Sequence, residues 1–304
     1  MTNSRKANLF IVGAPKCGTT ALNTYLNEHP QVFMSPKKEI HFFATDLPGY
    51  RECKTEDEYS LFFENASDKH KIIGDASVYY LYSQTAIENI YKYNRDGKLI
   101  VMLRNPAEMV YSLHSQMIWS ANEDVLDFEE AWNLSVKRKK GINLPKHYTD
   151  EKILFYDEIA KYGDQLERLY KVFPKENVKV IVFDDFKRNI KEVYQDVLSF
   201  LSLPAENRET FEKINENALP ISIWFNQLMI DQPRLIRRFK EGIKSLFGIK
   251  DFGVTRRIKI INSKNVERKQ LKPEMTEKII QNYKNDIKKL SLIINHDLSH
   301  WYTQ

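Results

Sequence analysis

The chain carries two cysteines in 304 residues, too few for a disulfide framework, and the simpler reading is a reducing compartment. No run approaches the ~18 consecutive apolar residues that a membrane-spanning helix needs. The first eight residues, Met1 to Asn8, hold no apolar core of the signal-peptide kind. These readings give the expectation of a cytoplasmic protein without a transmembrane segment. No stretch rich in proline, glycine or serine divides the chain, and neither an internal repeat nor a low-complexity tract occurs, so residues 1–304 are read as a single domain. The histidines and acidic residues show no metal-ligand spacing, and no metal is expected. The charge surplus is small: 46 basic against 41 acidic residues give a net +5, which does not imply nucleic-acid binding. Hydrophobic residues at 42% and charged residues at 29% are ordinary globular values.

What is present begins with Gly13-Ala-Pro-Lys-Cys-Gly-Thr-Thr20. This has the two-glycine frame of a phosphate-binding loop, but the lysine stands in the loop's middle, and Thr19 occupies the place where a nucleoside-triphosphatase carries lysine. Apolar Leu9 to Val12 precedes the loop as a buried strand, and Thr20 to Leu26 follows with helical spacing, so backbone N–H groups at a helix start can cradle an anion. Strand-like runs at Leu9 to Val12, Lys71 to Ile73, Leu99 to Leu103 and Val178 to Phe183 alternate with helical patterns. Those patterns cover Thr85 to Tyr93, Ala107 to Trp119, Ile153 to Val172, Ile190 to Leu201 and Glu274 to Ile294. Such alternation predicts an α/β fold, a P-loop-like, mostly parallel sheet flanked by helices. In open sheets of this class ligands bind beyond the carboxyl ends of the strands, the edge on which Gly13 and Arg104 fall.

The run Pro15-Lys-Cys-Gly-Thr-Thr20 resembles the 5′-phosphosulfate loop of sulfotransferases that use 3′-phosphoadenosine 5′-phosphosulfate (PAPS). Lys37-Lys-Glu-Ile-His-Phe-Phe43 resembles the element bearing the catalytic glutamate in heparan-sulfate-type members. Leu99 to Arg104 with Asn105, Pro106 and Ser112 resembles the 3′-phosphate site, and Asp297-Leu-Ser-His-Trp301 resembles the end of many bacterial members. The four occur in the family's order over nearly the whole chain.

The resemblance assigns Lys16, Cys17, Gly18, Thr19, Thr20 and Ala21 to the 5′-phosphosulfate, with the Lys16 ammonium beside the bridging oxygen where charge develops as the S–O bond breaks. It assigns Arg104 and Ser112 to the 3′-phosphate. Pro106 suits the first turn of a helix, which places Ser112 about two turns on, roughly 9 Å along the axis. Glu39 is implied as general base for the acceptor hydroxyl, or amine. Alone it reads as half of a surface ion pair with Lys37 or Lys38. His41, two residues on, shares a face with it if the segment is extended, and is an orienting partner or a substitute base. In Asp75-Ala-Ser-Val-Tyr79, Ala76 stands where the heparan-type enzymes have lysine. Asp75 and Ser77 are read either as lining the acceptor cleft or as a solvated turn.

From Arg234 to Lys272 there are 13 Lys/Arg against 3 Asp/Glu. Within it Lys264, Arg268 and Lys269 are candidates for a cationic cover over the 3′-phosphate; a solvated surface, nucleic acid, an anionic membrane or a polyanionic acceptor are alternatives. Ile221 to Ile230 and Leu235 to Phe239 form an amphipathic stretch, read as a core helix, an acceptor lid or a peripheral membrane contact. The implied activity is sulfuryl transfer from PAPS to a carbohydrate, lipid or small-metabolite acceptor, releasing adenosine 3′,5′-bisphosphate. Two rival readings are an ATP-dependent kinase, with Asp184 after the Val178 strand holding magnesium, and a non-catalytic polyanion-binding module.

Overall fold

A computed structural model describes residues 6–212, 219–220, 263–264 and 270–303. Its five-stranded sheet is parallel throughout, with strand order β2-β3-β1-β4-β5. The strands are β1 (Leu9–Gly13), β2 (Val32–Met34), β3 (Ile72–Ala76), β4 (Lys98–Leu103) and β5 (Val178–Val182). β1 and β3 are buried at every position, and Leu99 to Leu103 of β4 are fully buried. Near-continuous apolar runs such as those of β1 and β4 are what a parallel sheet covered on both faces demands, and each fully buried Leu, Ile, Val, Phe or Met side chain there contributes about 1.5–3 kcal/mol. The chain leaves β1 for β2, returns to β3 and then crosses to β4, so the order reverses about β1. That reversal creates the crevice in which an open α/β sheet holds its ligand.

Four of the strands and the fold class agree with the expectation. β2 was missed, being three residues long and defined by its parallel pairing of Val32 with Ile72 and Met34 with Gly74 rather than by any local pattern. The helices of the described residues are α1 (Thr19–Asn27), α2 (Glu56–Ser60), α3 (Ala86–Tyr93), α4 (Pro106–Ser120), α5 (Phe128–Arg138), α6 (Tyr162–Tyr170), α7 (Phe183–Arg188), α8 (Ile190–Phe200) and α9 (Pro273–Ile294). α9 buries Met275, Ile279, Tyr283, Ile287 and Leu290, one stripe at helical spacing, starts on Pro273 and stops at Asn295 in the left-handed conformation.

The single helix expected over Ile153 to Val172 is a 3₁₀ turn at Glu151–Leu154, irregular backbone, and then α6. The start of α6 is set from elsewhere: the Asp286 carboxylate of α9 accepts from the Gly163 and Asp164 amides at 2.8 and 2.9 Å. A cap delivered from 123 and 122 residues away leaves no local trace.

The chain divides into two compact units whose segments alternate along the sequence, one of Met1–Val110, Phe155–Ile214 and Lys272–Gln304, the other of Tyr111–Leu154 and Asn215–Leu271. The first contains the five-stranded sheet. In the second, Glu123 and Arg138 form a fully buried bidentate pair at 2.6 and 2.7 Å, with the Asp124 and Val125 amides also donating to Glu123 and Arg138 Nε donating to the Asn143 carbonyl. Removing one member strands the other charge without water. Glu123→Ala should therefore lower the unfolding free energy by about 3–5 kcal/mol in urea titrations, whereas Glu123→Met with Arg138→Leu should recover most of the loss. Equal stability of the single variant and the parent would contradict this.

Candidate active site

β1 delivers the loop to the carboxyl edge of the sheet, and its pairing with β4 slips register between Ile11 and Gly13, where the chain begins to turn away. At Gly13 a Cβ would lie 2.8 Å from Leu81 Cβ and 3.1 Å from the Val78 carbonyl, so the turn after β3 packs directly on the loop's start. That turn is itself tied down by Arg168 of α6, which donates to the Leu81, Tyr82 and Ser83 carbonyls at 2.7, 3.3 and 3.2 Å. Lys16 and Gly18 both have positive φ, 61° and 87°. Gly18 is the N-cap of α1, in the left-handed region, with no side chain capping the helix and no acidic residue in its first turn. The N–H groups at the start of α1 are thus directed at the loop's interior, an anion-binding arrangement.

Cys17 lies at the bottom of the loop, fully buried, its Sγ donating to the Pro15 carbonyl at 3.3 Å and lying 3.9 Å from the Tyr162 hydroxyl. Burial pushes its thiol up to about 12, against the pull of Arg104 and the Tyr162 hydrogen bond, so it stays protonated and is an anchor rather than a nucleophile.

Glu39 and His41 stand beside this loop, but not on an extended segment: φ of +66° and +52° places both in the left-handed region. The backbone is fixed from β3, with the Glu39 amide donating to the Ala76 carbonyl at 2.9 Å and the His41 amide to Ser77 Oγ at 3.0 Å. The side chains meet despite the bend, His41 Nε2 lying 3.2 Å from Glu39 Oε2 and His41 Nδ1 lying 3.1 Å from the Glu39 carbonyl. Glu39 Oε2 also accepts from the Val78 amide at 3.0 Å, while Oε1 accepts from Lys38 Nζ at 2.6 Å. Burial would raise the Glu39 carboxyl, but the Lys38 ammonium and the His41 contact outweigh it and bring the carboxyl down to about 2. His41 is buried, stacked on Tyr79 with ring centroids 5.2 Å apart.

Asp75 is a correction to the sequence reading. It belongs to β3, is wholly buried, and accepts from Tyr59, Tyr80 and Ser77 at 3.0, 2.8 and 2.7 Å, so it is neither in a solvated turn nor on a cleft wall. Burial raises its carboxyl, opposed by the hydrogen bonds from Ser77, Tyr80 and Tyr59. Through Ser77 it supports the His41 backbone from beneath.

Arg104 follows β4 and reaches the loop, donating to the Lys16 carbonyl at 3.4 Å. Its Nε and Nη2 engage Glu108 Oε2 at 2.7 and 2.6 Å, and its guanidinium lies 5.1 Å from the centre of the Phe183 ring. Phe183 also backs Gly18. Ser112 is buried in α4 and belongs to the second unit. Lys264 is described only as part of the short antiparallel pair β6 (Leu219–Pro220) and β7 (Ser263–Lys264). Arg268, Lys269 and the amphipathic stretch from Ile221 to Phe239 lie outside the described residues. Asp184, the expected magnesium ligand of the kinase reading, instead accepts from Trp301 Nε1 at 2.9 Å and lies 3.3 Å from both Lys187 and His300. The Trp301 carbonyl in turn accepts from Asn105 at 3.3 Å, so the Asp297–Trp301 motif ties the ends of β4 and β5. Sequence reasoning offered no role for Phe183 or Arg168, and read Lys38 only as an ion-pair partner of Glu39, which it is at 2.6 Å, without its second contact to Thr19. Among the described residues no group of three His, Cys, Asp or Glu side chains is arranged to hold a metal, and no helix is long and apolar enough to cross a membrane.

Residues 6–291 match the family model described as "Sulfotransferase domain". Carbohydrate sulfotransferase 15 of Mus musculus is 26% identical over 247 residues, covering 64% of this chain and 44% of the relative. Heparan sulfate glucosamine 3-O-sulfotransferase 5 of Homo sapiens is 29% identical over 197 residues, covering 64% of this chain and 53% of the relative. The chain thus spans about half the length of these relatives. The crystal structure of a sulfotransferase from Alicyclobacillus acidocaldarius superimposes with a TM-score of 0.71 at 25% identity, covering 98% of this chain and 99% of that one.

Gly18 is where the loop is most exposed to substitution, because a Cβ there combines a left-handed φ with a 2.8 Å approach to the Phe183 ring. Gly18→Ala should cost about 1–3 kcal/mol of stability. Adding Phe183→Leu should return the steric part and leave the backbone part, a difference readable in thermal unfolding; an unchanged melting temperature in Gly18→Ala would contradict the loop conformation.

Proposed function

The chain belongs to the sulfotransferase domain family, and on that premise we propose that it moves a sulfuryl group from PAPS to an acceptor hydroxyl, acting as one catalytic domain over the unbroken span of the family match. The observation that carries this reading is the adjacency of an uncapped helix start in a glycine turn to a carboxylate held by a lysine and a histidine. The residues present suit such a donor: loop amides from Gly18 to Ala21 with the Thr19 and Thr20 hydroxyls for the 5′-phosphate, Lys16 for the bridging oxygen, and Arg104 with Ser112 for the 3′-phosphate. The wider family reading adds Lys264, Arg268 and Lys269 on the 3′ side.

In the reaction the acceptor oxygen attacks sulfur in line as its proton passes to Glu39. The bond from sulfur to the bridging oxygen breaks, and its electrons leave with adenosine 3′,5′-bisphosphate. Lys16 offsets the charge that appears on that oxygen, an interaction stronger in the transition state than in the ground state. His41 holds Glu39 at Oε2 and leaves its backbone locked on Ser77, which limits the motion of the base. The names of the matched relatives support a carbohydrate acceptor, with lipid or small-metabolite hydroxyls, and amines, as the other members of the acceptor class.

The direct test is transfer of radiolabelled sulfate from PAPS to a panel of oligosaccharides, which should give a labelled acceptor with the purified protein and none with PAPS omitted. Lys16→Ala should lower turnover about 10²–10³-fold while donor affinity falls far less, measured by steady-state kinetics alongside calorimetry; wild-type turnover would remove Lys16 from the chemistry. Glu39→Gln should lower turnover about 10²–10⁴-fold in the fraction of the protein that is folded. Full activity in Glu39→Gln together with loss in His41→Ala would transfer the base role to His41.

A further inference from the structure

Lys38 joins the two halves of the site. Its ammonium lies 2.6 Å from Glu39 Oε1 and donates to Thr19 Oγ1 at 3.4 Å. Thr19 opens α1, at the helix start read above as the anion cradle, and Glu39 is the carboxylate proposed above to take the acceptor's proton. With 21% of its side chain exposed, Lys38 is sheltered enough for its charge to be felt more strongly than in a surface pair. In the arrangement described, Glu39 is ill suited to take a proton: Oε1 is occupied by Lys38, and Oε2 by His41 and the Val78 amide. The groups facing it are Lys38 and His41 from its own segment, the Val78 amide and the Tyr79 ring from the turn after β3, and, through Lys38, the neutral Thr19 hydroxyl of α1. Ala76, beneath it in β3, brings no charge. Lys38 is thus the adjustable cation on this carboxylate, having a flexible four-carbon stem and three donors.

We propose that Lys38 is a positioning residue that changes partners, leaving Glu39 Oε1 for the donor's anionic group when that group is seated at Thr19, so that the base becomes free only in the donor-loaded enzyme. The inference rests on the sulfuryl-transfer reading above. The donor's phosphosulfate group carries two negative charges against the single charge of a carboxylate, and seated at the start of α1 it would lie next to Thr19, which the ammonium already touches, so the exchange needs a rotation of one side chain and no backbone movement. Once Oε1 is released, the acceptor proton passes to it, the acceptor oxygen bonds to sulfur, and the sulfur–bridging-oxygen bond breaks toward the 5′-phosphate. Donor binding thereby precedes acceptor activation, and an acceptor bound alone is not deprotonated.

The test uses the full chain labelled with ¹³C at glutamate carboxyls, with the Glu39 signal identified by its loss in Glu39→Gln, titrated with and without adenosine 3′,5′-bisphosphate. Without nucleotide the Glu39 signal should stay flat from pH ~4 to ~8, a window in which an ordinary glutamate, with a pKa of about 4.3, still titrates; with nucleotide a titration step should enter that window. In Lys38→Met the step should be present without nucleotide and change little on adding it, and Lys38→Arg, which keeps the charge, should restore the flat profile. A residue holding the fold alone would not make the Glu39 titration depend on nucleotide. If calorimetry on the same sample shows nucleotide bound and the wild-type Glu39 signal still flat, the partner exchange is wrong and the sulfuryl-donor reading stands. If no nucleotide binds, both fall.

Discussion

A helix can offer its first N–H groups to an anion only if nothing else takes them, and at α1 the left-handed turn at Gly18 enforces this. The turn aims the helix start at the end of β1 while placing no side chain there, and Phe183 closes the space a Cβ would need. The surrounding packing serves the same end. Arg168 fixes the turn against Gly13, Cys17 plugs the loop's underside, and Asp184 and Asn105 hold Trp301 across the ends of β5 and β4. The result is a rigid anion cradle with Arg104 drawn to its rim through the Lys16 carbonyl.

Two carboxyls near this cradle, Asp75 wholly buried and Glu39 half-buried, are driven in opposite directions by their neighbours. Asp75 is surrounded by hydroxyl donors that carry no charge, so burial prevails and its carboxyl is raised. Glu39 has an ammonium at one oxygen and an imidazole at the other, so burial is overcome and the carboxyl is lowered. The first is a structural support for the His41 backbone. The second is a charged group stored beside a binding site, a state that costs desolvation and persists because the pairing offsets it. For Glu39 the sign fixes a pH window: its pairing stabilises the fold above the ordinary glutamate range and that stabilisation is lost as pH falls toward about 2.

The legible parts of the fold were those with local causes. Leu9 to Gly13 and Leu99 to Leu103 are apolar because both sheet faces are covered, and Gly18 is a glycine because of its φ, so strands, loop and helix start were all readable from residue types. Glu39 and His41 were readable as a pair, but the expected extended geometry was not the one that unites them. Their meeting depends on hydrogen bonds to Ala76 and Ser77, some 36 residues away. The same holds for α6, whose start is written in Asp286, for β2, which is defined by its partner, and for Lys38, which looks like any surface lysine until Thr19 and Glu39 are seen on either side of it. Asp75 was misread because its three hydroxyl partners come from positions without a spacing signature.

The central claim is that the cradle at α1, with Arg104 at its rim, recognises a nucleotide phosphorylated at both 3′ and 5′ positions. Isothermal titration calorimetry of the purified chain with adenosine 3′,5′-bisphosphate and with adenosine 5′-monophosphate tests it most directly. The account predicts saturable binding of the bisphosphate, with the monophosphate at least about tenfold weaker, a difference of ~1.4 kcal/mol, and a smaller preference in Arg104→Ala. Absence of binding by both nucleotides, or equal affinity for the two, would contradict it.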